Sequence, residues 1–323
     1  MDNRSDVKAV LYYTGDFNFK KEIVSELQNK FSQIQFLEID NENYSVEDIK
    51  DADIFMGWPN DDMIDIMENL KWLQLPSAGA DSYIQHPGLE EEVILTNSSG
   101  VFDVPGAEHV IAFMTAFTRQ LKLHIQQQEK HIWKRNPKCL EIQDSTVAVV
   151  GLGNIGKETA KKIKGLGARV IGIKRDISDK PSYVDELYTS DSINEVLKRS
   201  DFVVNTLPHT EQTDKYFSEE RINNMKAGAV FINIGRGKTV DEPALIKALK
   251  KGHLEGAGLD VTAEEPLPES SPLWDMNNVI ITSHSVGVSP RKPERRANLL
   301  ETNIEKFLEG KELVNQVDRN LGY

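Results

Sequence analysis

One cysteine, Cys139, is all that 323 residues carry. A disulfide framework needs pairs, so none forms within the chain and a reducing compartment is the natural expectation. Cys139 has no partner for metal binding in sequence and sits in what reads as a loop, so no metal site is expected. Positive charge is also short: 38 Lys and Arg stand against 51 Asp and Glu, a formal net charge of −13. That balance disfavours a general nucleic-acid binder, which presents a basic face, while leaving room for a local basic pocket that takes an anionic substrate. No apolar run approaches the roughly 20 residues of a membrane span. The polar start Met1-Asp-Asn-Arg-Ser-Asp6 lacks the apolar stretch of a secretory leader. A cytoplasmic protein without membrane partners is therefore expected. Short-period repeats and low-complexity tracts are missing too. What remains is an ordinary globular composition, long enough for two domains with real cores.

The most informative stretch is Thr146-Val-Ala-Val-Val150 followed by Gly151-Leu-Gly153-Asn-Ile-Gly156. A β-branched apolar run leads into glycines spaced G-x-G-x-x-G. A helical segment from Lys157 to Leu166 follows, and then a second strand, Arg169–Ile173. In that context the glycines signal a dinucleotide site. The first permits the tight turn, the second lets backbone approach a pyrophosphate, and the third lets helix and strand pack closely. The helix start after the second glycine, with Asn154 and Ile155, offers free N–H groups to phosphates.

Before this unit, strands at Val7–Tyr13, Phe36–Ile39, Ala52–Met56, Trp72–Leu75 and Val93–Thr96 alternate with helical segments, which implies a parallel sheet. Pro105 opens a helical run expected to reach about Trp133, with Val110, Ile111, Met114, Phe117 and Leu121 on its inner face. After the glycine unit, strands are expected at Asp201–Leu207, Ala229–Ile234, Gly256–Val261 and Val279–Thr282, and a final helix from Pro290 to Leu308.

Ligands of open α/β sheets bind beyond the carboxyl ends of the strands. Arg236 lies there between two glycines. Asp260 ends the next strand, Glu265 follows it, and His284 ends the last one. An arginine clamps a carboxylate bidentately. A glutamate bonded to a histidine fixes its tautomer, and the histidine then serves as acid or base near neutral pH. Taken singly, each has a plain alternative: an ion-pair arginine, a core histidine, a solvated glutamate, an aspartate accepting N–H bonds in a turn.

Together these residues resemble the D-isomer-specific 2-hydroxyacid dehydrogenase family. Ser77-Ala-Gly-Ala-Asp81 looks like its substrate-carboxylate loop, with Ser77, Ala78 and Gly79 binding substrate. Thr96-Asn-Ser-Ser-Gly-Val101 with Glu108-His109 resembles its interdomain segment. Asn205-Thr206-Leu207-Pro208-His-Thr210 with Thr213 resembles its adenosine loop. Asn233-Ile234-Gly235-Arg236-Gly237 carries the family arginine, Leu259-Asp260-Val261 with Glu265-Pro266 its carboxylates, and Ser283-His284 its histidine. The resemblance implies a Rossmann domain (99–287) inserted in a flavodoxin-like substrate domain (1–98 and 288–323), with the active site in the cleft between them. It also implies a homodimer built on the helix after Pro105. Arg236 would hold a 2-oxo acid's carboxylate, protonated His284 would deliver a proton with Glu265 behind it, and Asp260 would lie beside the nicotinamide.

The look of Phe55-Met-Gly-Trp58 and Pro76-Ser-Ala-Gly79 is nearest to glyoxylate/hydroxypyruvate reductases. Trp58 is open to two roles, pocket wall or core anchor. A phosphoglycerate dehydrogenase-like enzyme and a non-enzymatic dinucleotide-sensing corepressor are the alternatives. Formate dehydrogenase is disfavoured, because Glu265 stands where that branch places glutamine. Lys174-Arg175 stand where an NAD-preferring member places an acidic residue, and two cations attract a 2′-phosphate, so NADP is favoured over NAD. The alternative is that Lys174 or Arg175 points to solvent and that Asp176 takes the ribose contact.

Overall fold

The structure is a computed structural model that describes residues 7–322; the polar start at 1–6 lies outside the described residues. The chain forms two compact units, one running to Val101 and resuming at Ser289, the other Phe102–Val288.

In the first unit β1 (Val7–Tyr13), α1 (Lys21–Lys30), β2 (Ile34–Asp40), α2 (Val46–Ile49), β3 (Ile54–Met56), α3 (Asp61–Ile66), β4 (Trp72–Gln74) and β5 (Ile94–Thr96) follow one another. Every strand pairing is parallel. The order β2-β1-β3-β4-β5 is that of a flavodoxin-like sheet. Such a sheet needs apolar cover on both faces, and β3 and β4 are buried throughout. The final helix, Lys292–Leu308, supplies part of that cover. Its Ala297, Leu300 and Ile304 recur at helical spacing and pack with Leu11, Ile54, Met56 and Trp72.

The second unit opens with α4 (Asp103–Thr118) and α5 (Leu121–Glu129). The single helix expected to run to Trp133 is therefore two. Gln120 adopts the left-handed conformation (φ 56°, ψ 37°) and ends the ladder. Pro105 sits in the first turn, where its missing N–H costs nothing, rather than opening the helix. Val110, Phe113, Met114 and Phe117 are buried, whereas Leu121 beyond the break is exposed.

Then come β6 (Thr146–Val150), α6 (Asn154–Gly165), β7 (Arg169–Ile173), β8 (Glu186–Tyr188), α7 (Ile193–Arg199), β9 (Phe202–Asn205), α8 (Glu219–Asn223), β10 (Val230–Asn233), α9 (Glu242–Lys250), β11 (Gly256–Leu259) and β12 (Val279–Ile281). The seven parallel strands run β12-β11-β10-β9-β6-β7-β8, a Rossmann order that reverses between β6 and β9. The short edge strand β8 was not expected from its polar sequence. Glu186 on it pairs with Arg169 and Arg199, and such charge blunts an edge against further pairing.

Candidate active site and dinucleotide cradle

The three glycines of the turn after β6 do three different things. Gly151 has φ +98°, and a Cβ there would lie 2.9 Å from Thr206 Oγ1. At Gly156 a Cβ would lie 1.9 Å from the Gly151 carbonyl oxygen, so helix and turn close only without a side chain. At Gly153, the N-cap of α6, a Cβ would meet nothing within 4 Å. Two glycines are required by the fold itself, and the third faces open space at a helix N-terminus, where backbone can approach a phosphate. Asn154 and Ile155 form the first turn of that helix. The cradle thus fits a dinucleotide.

The neighbouring loops are tied by a buried asparagine pair. Asn205 Nδ2 donates to Asn233 Oδ1 (2.9 Å) and to Thr239 Oγ1 (2.7 Å). Each carboxamide oxygen also accepts from the loop after its own strand, Asn205 from Leu207 N–H and Asn233 from Gly235 N–H. Thr206 Oγ1 donates to the Gly151 carbonyl at 2.5 Å. Thr213 Oγ1 donates to the Pro208 carbonyl and accepts from Thr210 N–H, both at 2.7 Å, closing loop 208–213 on itself.

Ile234 is buried, and Gly235 and Gly237 bracket Arg236 for steric reasons. A Cβ at Gly235 would lie 2.5 Å from the Leu207 carbonyl oxygen, and one at Gly237 1.8 Å from that of Thr262. Arg236 itself is half-buried, with Nη1 donating to the Gly235 carbonyl at 2.9 Å.

His284 and Glu265 meet: Nδ1 lies 2.7 Å from Oε2. A carboxylate only accepts, so Nδ1 carries the proton of that bond and Nε2 is the nitrogen left to exchange one. Glu265 is fixed in turn by Thr262 N–H on Oε1 at 3.1 Å. His284 has φ +48°, a conformation uncommon outside glycine and a feature that concentrates at functional sites.

Asp260 is 2% exposed, and its carboxylate is engaged by the His284 loop. Oδ1 accepts from Thr282 Oγ1 (2.6 Å) and Ser285 N–H (2.9 Å), and Oδ2 from Val286 N–H (3.1 Å). Its own carbonyl accepts from His284 N–H at 2.8 Å. It thus accepts N–H bonds in a turn, as its plain alternative has it.

Lys174 and Arg175 follow β7 directly, Lys174 half-buried and Arg175 exposed. Asp176 Oδ1 accepts from Ser178 N–H at 2.9 Å, and that bond holds its carboxyl below the ordinary range.

In the first unit, Ser77, Ala78 and Gly79 lie in the half-buried loop after β4. Trp58 Nε1 donates to Ser77 Oγ (3.2 Å), which donates to the Gly79 carbonyl (2.7 Å). Trp58 also packs edge-on against Phe17, so anchor and loop support are one role. A residue with no sequence signal lies beneath. Arg296 of the final helix is 3% exposed, and its Nε donates to the Pro76 carbonyl and Nη1 to that of Asp16, both at 2.9 Å. It also faces the Phe17 ring at 5.4 Å. Burial pushes its pKa down to about 10, which leaves it cationic at neutral pH.

Known proteins carry the same architecture. The family model of the D-isomer specific 2-hydroxyacid dehydrogenase NAD-binding domain matches residues 111–286. A glyoxylate reductase of Pyrococcus furiosus is 32% identical over 282 residues, 82% of each chain. The chain belongs to the D-isomer specific 2-hydroxyacid dehydrogenase family. Two crystal structures of the family superpose over nearly all of it. One is a D-isomer specific 2-hydroxyacid dehydrogenase of Xanthobacter autotrophicus in complex with NADPH (TM-score 0.85, 28% identity, 98% and 99% of the two chains). The other is an NADPH-dependent glyoxylate/hydroxypyruvate reductase of Sinorhizobium meliloti in complex with NADP (TM-score 0.84, 28% identity, 98% and 100%). As a family member this protein is an oxidoreductase of the 2-hydroxyacid dehydrogenase type with an NAD-binding domain. Sequence reasoning also missed what holds the His284 loop from outside: His109 on α4, whose Nε2 lies 2.9 Å from Thr282 Oγ1.

Proposed function

We propose that this dehydrogenase works as an NADPH-dependent reductase of a small 2-oxo acid of the glyoxylate or hydroxypyruvate kind. The observation that carries the reading is the 2.7 Å bond between His284 Nδ1 and Glu265, which leaves Nε2 to deliver a proton. The dinucleotide, when bound, supplies the hydride to the carbonyl carbon. The chain does the rest. Arg236 holds the substrate carboxylate and polarises the carbonyl, and Ser77, Ala78 and Gly79 bind carboxylate through backbone N–H groups. The imidazolium of His284 gives its Nε2 proton to the oxygen as negative charge develops, and Glu265 stabilises that imidazolium. The first unit serves as the substrate domain.

Lys174 and Arg175 support NADP, because two cations directly after β7 attract a 2′-phosphate where a carboxylate would repel it. Association as a homodimer is supported by exposed apolar side chains in the second unit: Leu121 and Ile125 on α5, then Ile132, Trp133 and Leu140. Apolar surface of this kind marks interaction sites, and sedimentation at twice the chain mass is the expected result.

The test is turnover on a panel of 2-oxo acids, one of them phosphorylated, with NADPH and NADH in parallel. We expect glyoxylate or hydroxypyruvate with NADPH to be preferred, and His284→Gln to lower kcat by about 10²–10⁴-fold with NADPH affinity unchanged. Preference for the phosphorylated acid, preference for NADH, or tight dinucleotide binding without turnover on any acid would each replace part of this reading.

A further inference from the structure

We propose that His109 is a positioning residue for the reaction, holding the His284 loop through Thr282 and Asp260. The inference rests on the role proposed above for His284. The protons can be assigned from the distances. The Asp260 carboxylate accepts at every contact, so the Thr282 hydroxyl proton points to Oδ1 across 2.6 Å. Thr282 Oγ1 then has only lone pairs to offer its second neighbour, and His109 Nε2 at 2.9 Å must be the donor. A directed chain results: His109 Nε2–H to Thr282 Oγ1–H to Asp260, whose carboxylate accepts from Ser285 and Val286 N–H on the far side of His284. Glu265 fixes the imidazole of His284, and this chain fixes its backbone.

The reach of His109 is built into the packing of α4 on β11. His109, Phe113 and Phe117 are spaced i, i+4, i+8, a stripe rising about 6 Å per step along one helix face. Gly256, Gly258 and Asp260 are spaced i, i+2, i+4, a rise of about 6.6 Å per step along one strand face. The two stripes run in register and in opposite directions. A Cβ at Gly256 would lie 2.4 Å from the Phe117 ring, and one at Gly258 2.7 Å from that of Phe113. The missing side chains seat the two rings on the strand, and the third step brings His109 to within 3.7 Å of the Asp260 carboxylate. Phe113 also meets the His109 imidazole edge-on at 4.8 Å, which orients the ring. The glycines of the motif Gly256-Ala-Gly258-Leu-Asp260 thus leave room for the two rings, and the same helix face carries an imidazole far away in sequence up to the Asp260 carboxylate.

The test is a double-mutant cycle on the full chain, read with NADPH and glyoxylate. We expect His109→Phe and Thr282→Val each to lower kcat about tenfold, with the KM for glyoxylate and NADPH affinity changed less than about twofold. The double variant should be no slower than the slower single, because one chain is cut in either place. Thr282→Ser keeps the hydroxyl and should return kcat to within about twofold of the parent, a rescue that separates positioning from bulk packing and leaves the helix untouched. Losses that multiply in the double variant, or a Thr282→Ser no better than Thr282→Val, would overturn the proposal. Full turnover in His284→Gln, which leaves His109 and Thr282 intact, would instead overturn the reading beneath it.

Discussion

Two strand-end loops, one in each unit, are held by buried charges of opposite sign. In the second unit the loop 282–286 is held by Asp260, a carboxylate that takes up its N–H groups. In the first unit the loop after β4 is held by Arg296, a guanidinium that takes up the carbonyl of Pro76. The sign of the anchor decides what the loop has left to offer. A loop gripped by its N–H groups presents a side chain in a fixed place, which suits a proton donor. A loop gripped by its carbonyl keeps its N–H groups for a ligand and has a cation beneath it, which suits capture of an anion.

The contrast makes opposite kinetic predictions for the two anchors. The largest effect is expected at Asp260. Asp260→Asn turns an N–H group toward Val286 N–H and releases the His284 loop; misplacement of a catalytic group by about 1 Å can cost about 10²-fold. We expect kcat to fall by about that factor with the KM for the 2-oxo acid little changed, and stability to drop by about 3 kcal/mol in urea titration, since buried donors lose their acceptor. A variant whose KM rises while kcat holds would break the comparison at its first term.

Arg296→Met should show the reverse. Loss of the buried cation beneath the loop should raise KM about tenfold for an anionic 2-oxo acid and leave kcat within about threefold, as removal of binding common to ground and transition states does. The uncharged 2-oxo amide separates charge from packing: its KM should move much less. Stability should fall by only about 1–2 kcal/mol, because the carbonyls of Pro76 and Asp16, left without the guanidinium, are tolerated better than unpaired N–H groups and a methionine fills the space.

The parts of this arrangement that were legible in sequence are those whose signal is local. The glycine turn after β6 reads directly, because turn, cradle and close packing each demand a missing side chain within six residues. Arg236, Glu265 and His284 are expected as a set because strands of a parallel sheet deliver their ends to one edge, and of the three the structure joins Glu265 to His284. Arg296 could not be read, since its partners Pro76 and Asp16 are brought to it only by the return of the final helix. His109 had a readable clue in the alternating glycines of β11, but the clue means nothing until α4 is known to lie on that strand. The break at Gln120 carries neither Gly nor Pro, so helical periodicity ran through it. Asp260 is located correctly at a strand end, yet its bonds to Ser285 and Val286 depend on the loop from the next strand over.

The smallest predicted effect sharpens the comparison most. Trp58 also supports the first loop, through one bond of 3.2 Å from Nε1 to Ser77 Oγ. Ser77 keeps its own donation to the Gly79 carbonyl at 2.7 Å whether or not the indole is present. Trp58→Phe therefore removes one hydrogen bond and retains an aromatic face toward Phe17, a net change of about 0.5–1.5 kcal/mol. We expect KM for a 2-oxo acid to rise about twofold to fourfold, with kcat and dinucleotide affinity unchanged. The argument turns on the ratio to Arg296→Met. If the cation is what fits the loop for an anion, the arginine variant raises KM more than the tryptophan variant does, and the excess vanishes with the uncharged amide. Equal losses with both substrates would show that the loop is held by its shape alone, and that the opposite signs of the two anchors have no bearing on what each loop binds.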